Sequence, residues 1–202
     1  MADIMKTSLL QRIEGFYEQT NTEKQATLGE LLQTINLAPK EFIESFHSEK
    51  FDYLNNLPII YEALSNDLNN WADFFLAELK RLIATAKAGD SPKRVLTHLD
   101  ELSFIDAEIF KHRDAFVAIL SAELDNPHRT FRYYAISLLP DFIRQDDTSA
   151  TNKLRGRLQD PDWRIRYWAF KALQDLDKLS STDRLSVPDM LRSKLVNTIN
   201  FQ

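Results

Sequence analysis

The residues of this chain that could carry out chemistry are scattered along the sequence. Acidic pairs such as Asp100-Glu101 and Asp146-Asp147 are adjacent, and adjacent residues do not face one another on a helix. Cysteine is absent, and neither a glycine-rich phosphate loop nor a nucleophile elbow occurs. Close pairing and metal-ligand spacing are missing from the four histidines, which are His47, His98, His112 and His128. We therefore expect no catalytic residues, no cofactor and no metal, and hence no enzyme.

Aromatic and basic residues in the last third of the chain favour binding instead. Trp163, Tyr167 and Phe170 lie four and three residues apart, which places them on one side of a helix. Burial of this stripe against a following helix is one interpretation. The other is a partner surface, because Trp, Tyr and Arg are enriched where proteins bind each other. On the second interpretation, the predicted partner-binding residues are Arg129, Tyr133, Trp163, Arg164, Tyr167 and Lys171.

Charge is distributed unevenly along the chain, whose net charge is −5. Residues 1–90 contain 8 Lys and Arg against 14 Asp and Glu, whereas residues 126–178 contain 10 against 7. An acidic first half disfavours wrapping nucleic acid over the whole molecule, because phosphate binding depends on cationic surface. We therefore expect another protein as partner, a basic one if it meets the acidic half, and no nucleic acid.

The elements that must position these residues read as helices throughout. Apolar residues recur at three-to-four spacing and only 4 glycines occur. The clearest helix is predicted from about Asn70 to Ala88, with Gly89 as its stop, and Thr22 with Gln25 forms a candidate capping box for an earlier one. Roughly ten helices with short turns are predicted, and one more is expected within residues 182–200. No linker divides them, so we predict one domain over 1–202.

An internal repeat at an offset of 34 residues is the strongest pattern. Residues 124–142 and 158–176 match, and their identities include Leu124, Pro127, Arg132, Tyr133, Ala135 and Leu139, which correspond to Leu158, Pro161, Arg166, Tyr167, Ala169 and Leu173. We expect Asn126 and Asp160 to cap helices whose first turn holds the proline. An apolar stripe then follows in each copy, beginning at Phe131 and at Ile165. Pro140 should kink or end the helix of the first copy.

This pattern resembles the HEAT-repeat family, in which an Asp-Pro-type turn precedes an apolar residue, an arginine, a small residue and a leucine. The match is clearest at Asp160-Pro161, Ile165-Arg166, Ala169 and Leu173. The resemblance implies an all-α, right-handed α-α superhelix, a HEAT-like solenoid of about ten antiparallel helices. Residues 106–200 would be HEAT-like repeats, and residues 1–105 a divergent or capping half.

The resemblance also bears on the arginines of the repeat. In HEAT families the equivalent arginine usually pairs with the turn aspartate and joins adjacent repeats, and Asp160 with Arg166 fits that role. A structural ladder is thus implied, made of Asn126, Arg132, Asp160 and Arg166. The alternative for the arginines is a row of cations on a binding groove.

A non-enzymatic protein-binding module or scaffold is the function that these patterns favour, with an inhibitor or immunity-like partner as one version. The alternative is a HEAT-like DNA-binding protein or alkylpurine DNA glycosylase, and a third possibility is a bilin lyase, since some HEAT-like proteins attach bilins. No 18-residue apolar stretch occurs and residues 1–16 lack a signal-peptide pattern. We therefore expect a cytoplasmic protein without a membrane segment.

Overall fold

The structure, a computed structural model, describes residues 16–37, 39, 53–89, 92–144 and 146–180, and all regular structure within them is helical. The predicted all-α class is confirmed there, whereas a superhelix of about ten helices stays a prediction. The helix predicted within 182–200 lies outside the described residues. In chain order the α-helices are α1 (Asn21–Leu37), α2 (Tyr53–Ser65), α3 (Leu68–Ala88), α4 (Pro92–Leu96), α5 (Arg113–Glu123), α6 (Arg129–Phe142), α7 (Thr148–Gly156) and α8 (Trp163–Asp175).

Three 3-10 segments accompany these helices. One precedes α1 (Phe16–Glu18), one continues α4 (Thr97–Phe104), and one continues α7 (Arg157–Gln159). Backbone contacts group the chain into two compact units, which are 1–71 with 104–106, and 72–103 with 107–202. The helix α3 spans the boundary between them. One domain over 1–202 stays a prediction.

In the first unit, α1 packs against α2. Leu28, Leu31 and Ile35 are buried and lie three and four residues apart, so they form one apolar side of α1. At the end of this helix the indole nitrogen of Trp71 donates to the side-chain oxygen of Asn36 at 2.9 Å. A polar bond thus satisfies the buried indole, as burial of an N–H requires.

The start of α1 is fixed by a capping box two residues earlier than predicted. The carboxylate of Glu23 accepts from the backbone N–H of Thr20 at 2.8 Å, and the hydroxyl of Thr20 accepts from the N–H of Glu23 at 3.4 Å. The side-chain and backbone bonds to Thr20 hold the pKa of Glu23 below its ordinary value. The prediction of Thr22 with Gln25 is wrong, because the carboxylate of Glu23 is the stronger acceptor for Thr20.

In the second unit, helices pair as the repeat predicts. The helix before each matched segment packs against the helix within it, α5 against α6 and α7 against α8, and α6 also packs against both α4 and α8. We call the pair α5–α6 the first copy and the pair α7–α8 the second copy. Phe116 and Phe142 meet with ring centroids 4.9 Å apart in the core of the first pair. The predicted stripes are buried, namely Phe131, Ala135, Leu139 and Phe142 on α6 and Ile165, Ala169 and Leu173 on α8. Small Ala135 and Ala169 allow this close packing.

The loop before each second helix is a side-chain turn. The side-chain oxygens of Asn126 and Asp160 accept from the backbone N–H two residues on, at His128 and Asp162, both at 2.9 Å. Each side chain thereby replaces a backbone turn. The prediction that Asn126 and Asp160 are helix N-caps is wrong, because their side chains bond this turn and not the first turn of the helix.

The N-caps are His128 and Asp162. Each side chain accepts from the backbone N–H two residues further on, at 3.3 Å and 2.9 Å respectively. The prolines Pro127 and Pro161 therefore lie in the preceding turn rather than in the first helical turn that was predicted. Helix α6 ends at Phe142, two residues after Pro140, in agreement with the predicted end.

Candidate partner-binding surface

One side of the second unit is formed by the second helices of successive pairs, with α4 and its 3-10 extension next to α6, and α6 next to α8. The hydroxyls of Tyr134 and Thr97 are hydrogen-bonded at 3.0 Å, and the hydroxyl of Ser137 donates to the carboxylate of Asp100 at 3.4 Å. These bonds join α6 to the 3-10 segment. We call the exposed side of α4, its 3-10 extension, α6 and α8 the second-helix face.

An unbroken row of aromatic rings crosses this face from α6 to α8. The centroid distances are 5.0 Å from Tyr134 to Tyr133, 5.7 Å from Tyr133 to Trp168, and 5.6 Å from Trp168 to Tyr167, all edge to face. Such pairs add about 0.5–1.5 kcal/mol each beyond their buried area, so they hold the rings in place. Tyr134 is only 5% exposed, whereas Trp168 and Tyr167 are 39% and 43% exposed. We call these four residues the aromatic row.

A pocket of about 210 Å³ opens beside the aromatic row. It lies where α4, α6 and α8 begin, and Tyr133 and Tyr134 belong to both the pocket and the row. Its walls are formed by Lys93, Arg129, Thr130, Tyr133, Tyr134, Asp162, Arg164 and Ile165. Each of the three helices contributes one cation, so the pocket is a basic site built from three elements.

The single carboxylate of the pocket is already engaged. Asp162 accepts from the backbone N–H of Arg164 at 2.9 Å through one oxygen and from the guanidinium of Arg129 at 3.3 Å through the other. Among the residues that the structure describes, no carboxylate lies within ion-pair distance of Lys93 or of the guanidinium of Arg164. The latter is 5.6 Å from the ring centroid of Trp163, a weak cation–π contact.

Two titratable groups on the second-helix face have shifted pKa values. Burial, with smaller contributions from the charge of Asp100 and from Tyr134, raises the pKa of Tyr133. Burial also raises the pKa of Asp100, against a smaller lowering by the bond from Ser137. Tyr133 therefore keeps its hydroxyl proton at neutral pH, and the wall of the pocket offers a neutral hydrogen-bond donor beside the cations.

The structure brings most of the predicted partner-binding residues together. Arg129, Tyr133 and Arg164 line the pocket, and Tyr167 ends the aromatic row. Trp163 is half-buried, and Lys171 bonds to Gln174 at 3.4 Å and lies 3.8 Å from Asp175 on its own helix.

Three residues of this site are not among the predicted partner-binding residues. Trp168 is the counterpart of Tyr134, which is buried, so the repeat alone does not indicate that Trp168 is exposed. Lys93 and Asp162 line the pocket, and Lys93 lies outside both matched segments.

The four residues of the implied structural ladder are hydrogen-bonded, but their partners differ from the expectation. The guanidinium of Arg132 binds both carboxylate oxygens of Asp160 at 2.8 Å and 3.0 Å, and both residues are buried. Its remaining nitrogen donates at 2.9 Å to the carbonyl oxygens of Asn126 and of the next residue. Arg166 donates to the carbonyl oxygen of Asp160 at 2.7 Å instead of to its carboxylate. The implied Asp160–Arg166 pair is therefore replaced by an Asp160–Arg132 pair that joins the two copies.

No group of three or more His, Asp and Glu side chains suited to a metal ion occurs in the part of the chain that the structure describes. His112 instead pairs with Asp73 of α3, and this bond, together with the contact from Lys111, holds the pKa of Asp73 below its ordinary value. These residues hold α3 against the segment before α5.

Stacked helix pairs, repeated turns and a bidentate ion pair between copies define the second unit as part of an α-helical repeat protein. Residues 117–189 match the family model of HEAT repeats, which confirms the resemblance over this part of the chain. Comparison with curated proteins and with solved structures found no match. None of the helices in the described residues is long and apolar enough to span a membrane.

Proposed function

We propose that this chain is a non-enzymatic protein-binding module, a scaffold whose partner docks on the second-helix face. The observation that carries the proposal is the exposure of Trp168 and Tyr167 at the end of a rigid aromatic row. Large aromatic side chains held in place by their neighbours lose little entropy on binding and are the residues in which interface energy concentrates. HEAT repeats typically present such surfaces to other proteins.

The basic pocket beside the aromatic row also supports the second-helix face as the docking surface. Arginine is enriched at protein interfaces together with Trp and Tyr. Arg129 and Arg164 line the same pocket as Tyr133, which is one of the rings of the aromatic row. An inhibitor role would use the same contacts. It differs from a scaffold in that the partner would be an enzyme that loses activity on binding.

DNA binding, the alternative, is less well supported by this face. Duplex binding needs cations spread along the path of the backbone. Here the cations of the pocket gather at one place, where Asp162 already neutralises part of their charge, and the neighbouring 3-10 segment adds Asp100.

The experiment uses a photo-crosslinking amino acid in the full chain. Placed at Tyr167, it should capture the partner, whereas at the exposed Asn152 of α7 it should not. The captured protein is then purified, and its affinity is measured for Trp168→Ala and Tyr167→Ala by calorimetry. Loss of a central aromatic anchor costs about 2 kcal/mol or more, so each Kd should rise about thirtyfold.

Ile109→Ala is the matched control, because Ile109 is a large apolar residue of the same unit that is 61% exposed outside the aromatic row. Its Kd should stay unchanged. Equal crosslinking from both positions, or affinities unaffected by Trp168→Ala, would remove the second-helix face as the binding site.

A further inference from the structure

The pocket holds more positive charge than its own residues neutralise. Lys93, Arg129 and Arg164 contribute three cations against the one carboxylate of Asp162. Both oxygens of that carboxylate already accept hydrogen bonds. A cleft lined by one sign of charge attracts a counter-charge from solution.

Two cations elsewhere in the same unit behave differently. Lys87 of α3 binds Glu123 of α5 at 2.5 Å, and Arg157 after α7 binds Asp125 after α5 at 3.2 Å. Those cations join one first helix to the next. Within the described residues, Lys93 and Arg164 make no such bond, so holding helices together does not account for them.

The size and position of the pocket indicate what its ligand would be. Its volume of about 210 Å³ lies below the roughly 300–1,000 Å³ typical of small-molecule sites, and suits a single side chain. Tyr133 is shared with the aromatic row, so a peptide residue in the pocket places its neighbours over Trp168.

We propose that the pocket binds a Glu or Asp side chain of an acidic peptide segment in the partner protein, while an adjacent apolar residue of that segment packs on Trp168 and Tyr167. This inference rests on the proposed function and specifies the chemistry of its partner. It differs from the basic partner expected from the acidic first half of the sequence. Arginine and lysine form their strongest hydrogen bonds with such ionised acceptors.

A peptide fits this face better than a nucleic acid does. A polyanion brings one charge at every step of its backbone, and its neighbouring phosphates would meet Asp100 and Asp162. An isolated carboxylate flanked by apolar residues avoids that repulsion. A basic pocket directly beside an aromatic row therefore favours a peptide in which an acidic residue and an apolar residue are adjacent.

The test uses the full chain and an array of synthetic peptides about ten residues long, each with one or two Glu or Asp beside Leu, Phe or Trp. The same peptides with Gln or Asn replacing the acids form the matched set, and a single-stranded oligonucleotide is included. We expect the acidic peptides to bind, and we expect the Kd of each amide analogue to be higher by about tenfold or more. An array without acidic binders, or equal binding by the two sets, overturns the inference.

Charge reversal of the pocket provides the second readout. In the double variant Lys93→Glu with Arg164→Glu, the Kd for the acidic peptide should rise by about tenfold or more. The variant should instead prefer the analogue in which Lys replaces the acidic residue. Lys80→Glu, an exposed cation of α3 in the same unit and outside the pocket, is the control and should change neither. Circular dichroism confirms that all variants remain folded. Failure of the reversed peptide to regain affinity counts against direct contact.

The outcomes separate this inference from the proposed function. If Trp168→Ala abolishes partner binding and the pocket variants do not, the docking face stands and the acidic peptide is wrong. If neither set of variants changes binding, both fail. If the oligonucleotide alone binds and its affinity falls in the pocket variants, the pocket binds phosphate groups, and the proposal of an acidic peptide is overturned.

Discussion

Two copies of one repeat lie side by side in the second unit, and equivalent residues in them have different surroundings. Both arginines donate to backbone carbonyls of their own turn, but Arg132 is 8% exposed and also binds the carboxylate of Asp160, whereas its counterpart Arg166 is half-buried. Tyr134 is buried and its hydroxyl is hydrogen-bonded to Thr97 of the 3-10 segment, whereas its counterpart Trp168 is exposed. Equivalent positions in the two copies therefore have different roles.

The difference follows from what lies next to each copy. The second helix of the first copy, α6, packs between α4 and α8, so positions on both of its flanks are covered. Within the described part of the chain, the second helix of the second copy, α8, packs on α6, and its Tyr167 and Trp168 are accessible. A position in the repeat thus stabilises the fold in one copy and is free to bind a partner in the other.

The largest difference is expected at the end of the apolar stripe. Phe142→Ala removes a buried ring that contacts Phe116, and should lower the free energy of unfolding by about 4 kcal/mol. Leu176→Ala, the same position of the second copy, removes a half-buried side chain and should cost about 1 kcal/mol. Urea unfolding of the full chain measures both, and equal costs would show that the two copies are buried alike.

The repeat itself is predictable because the residues that define it depend on local chemistry. Burial of an apolar stripe needs three-to-four spacing, and both copies show it. The sequence places the starts of α6 and α8 two residues early, because Asn and Asp serve equally well as an N-cap or in a turn before the cap. The sequence contains both solutions, and only the backbone path selects between them.

Pairing between copies could not be read from the sequence. Arg132 reaches Asp160 across 28 positions, whereas the pair that the resemblance implied was Asp160 with Arg166 of the same copy. The exposure of Trp168 depends on what packs beside α8 and not on its own neighbours in sequence. Lys93 was missed for the same reason, since its place in the pocket follows from packing of α4 on α6.

The second difference concerns the turn residues. Asp160→Ala leaves Arg132 buried without its carboxylate and should cost about 3 kcal/mol of unfolding free energy. Asn126→Ala at the equivalent position removes bonds to the backbone N–H of His128 and to Glu123, and should cost about 1 kcal/mol. Thermal and urea unfolding of both variants check the order. Equal losses of unfolding free energy in the two variants would mean that the charge of Asp160 adds nothing to stability.

A double-mutant cycle tests whether the ion pair acts as one unit. Arg132→Met and Asp160→Leu should each destabilise strongly, because each leaves a buried charge without its partner. The double variant should be more stable than the sum of the two single costs predicts, by about 2 kcal/mol, since no unpaired charge remains. Strict additivity in urea unfolding would contradict a direct pair between the copies.

The smallest expected change is also the one that best separates stability from binding. Tyr134→Phe removes a buried hydroxyl bonded to Thr97 at 3.0 Å, and should cost about 1 kcal/mol. Trp168→Phe alters the exposed counterpart and should leave the free energy of unfolding within about 0.5 kcal/mol. Affinity for the crosslinked partner should respond in the opposite order, falling for Trp168→Phe and staying unchanged for Tyr134→Phe. If both measurements ranked the variants alike, Trp168 would have a role in the fold, and the division of labour between the copies would not hold.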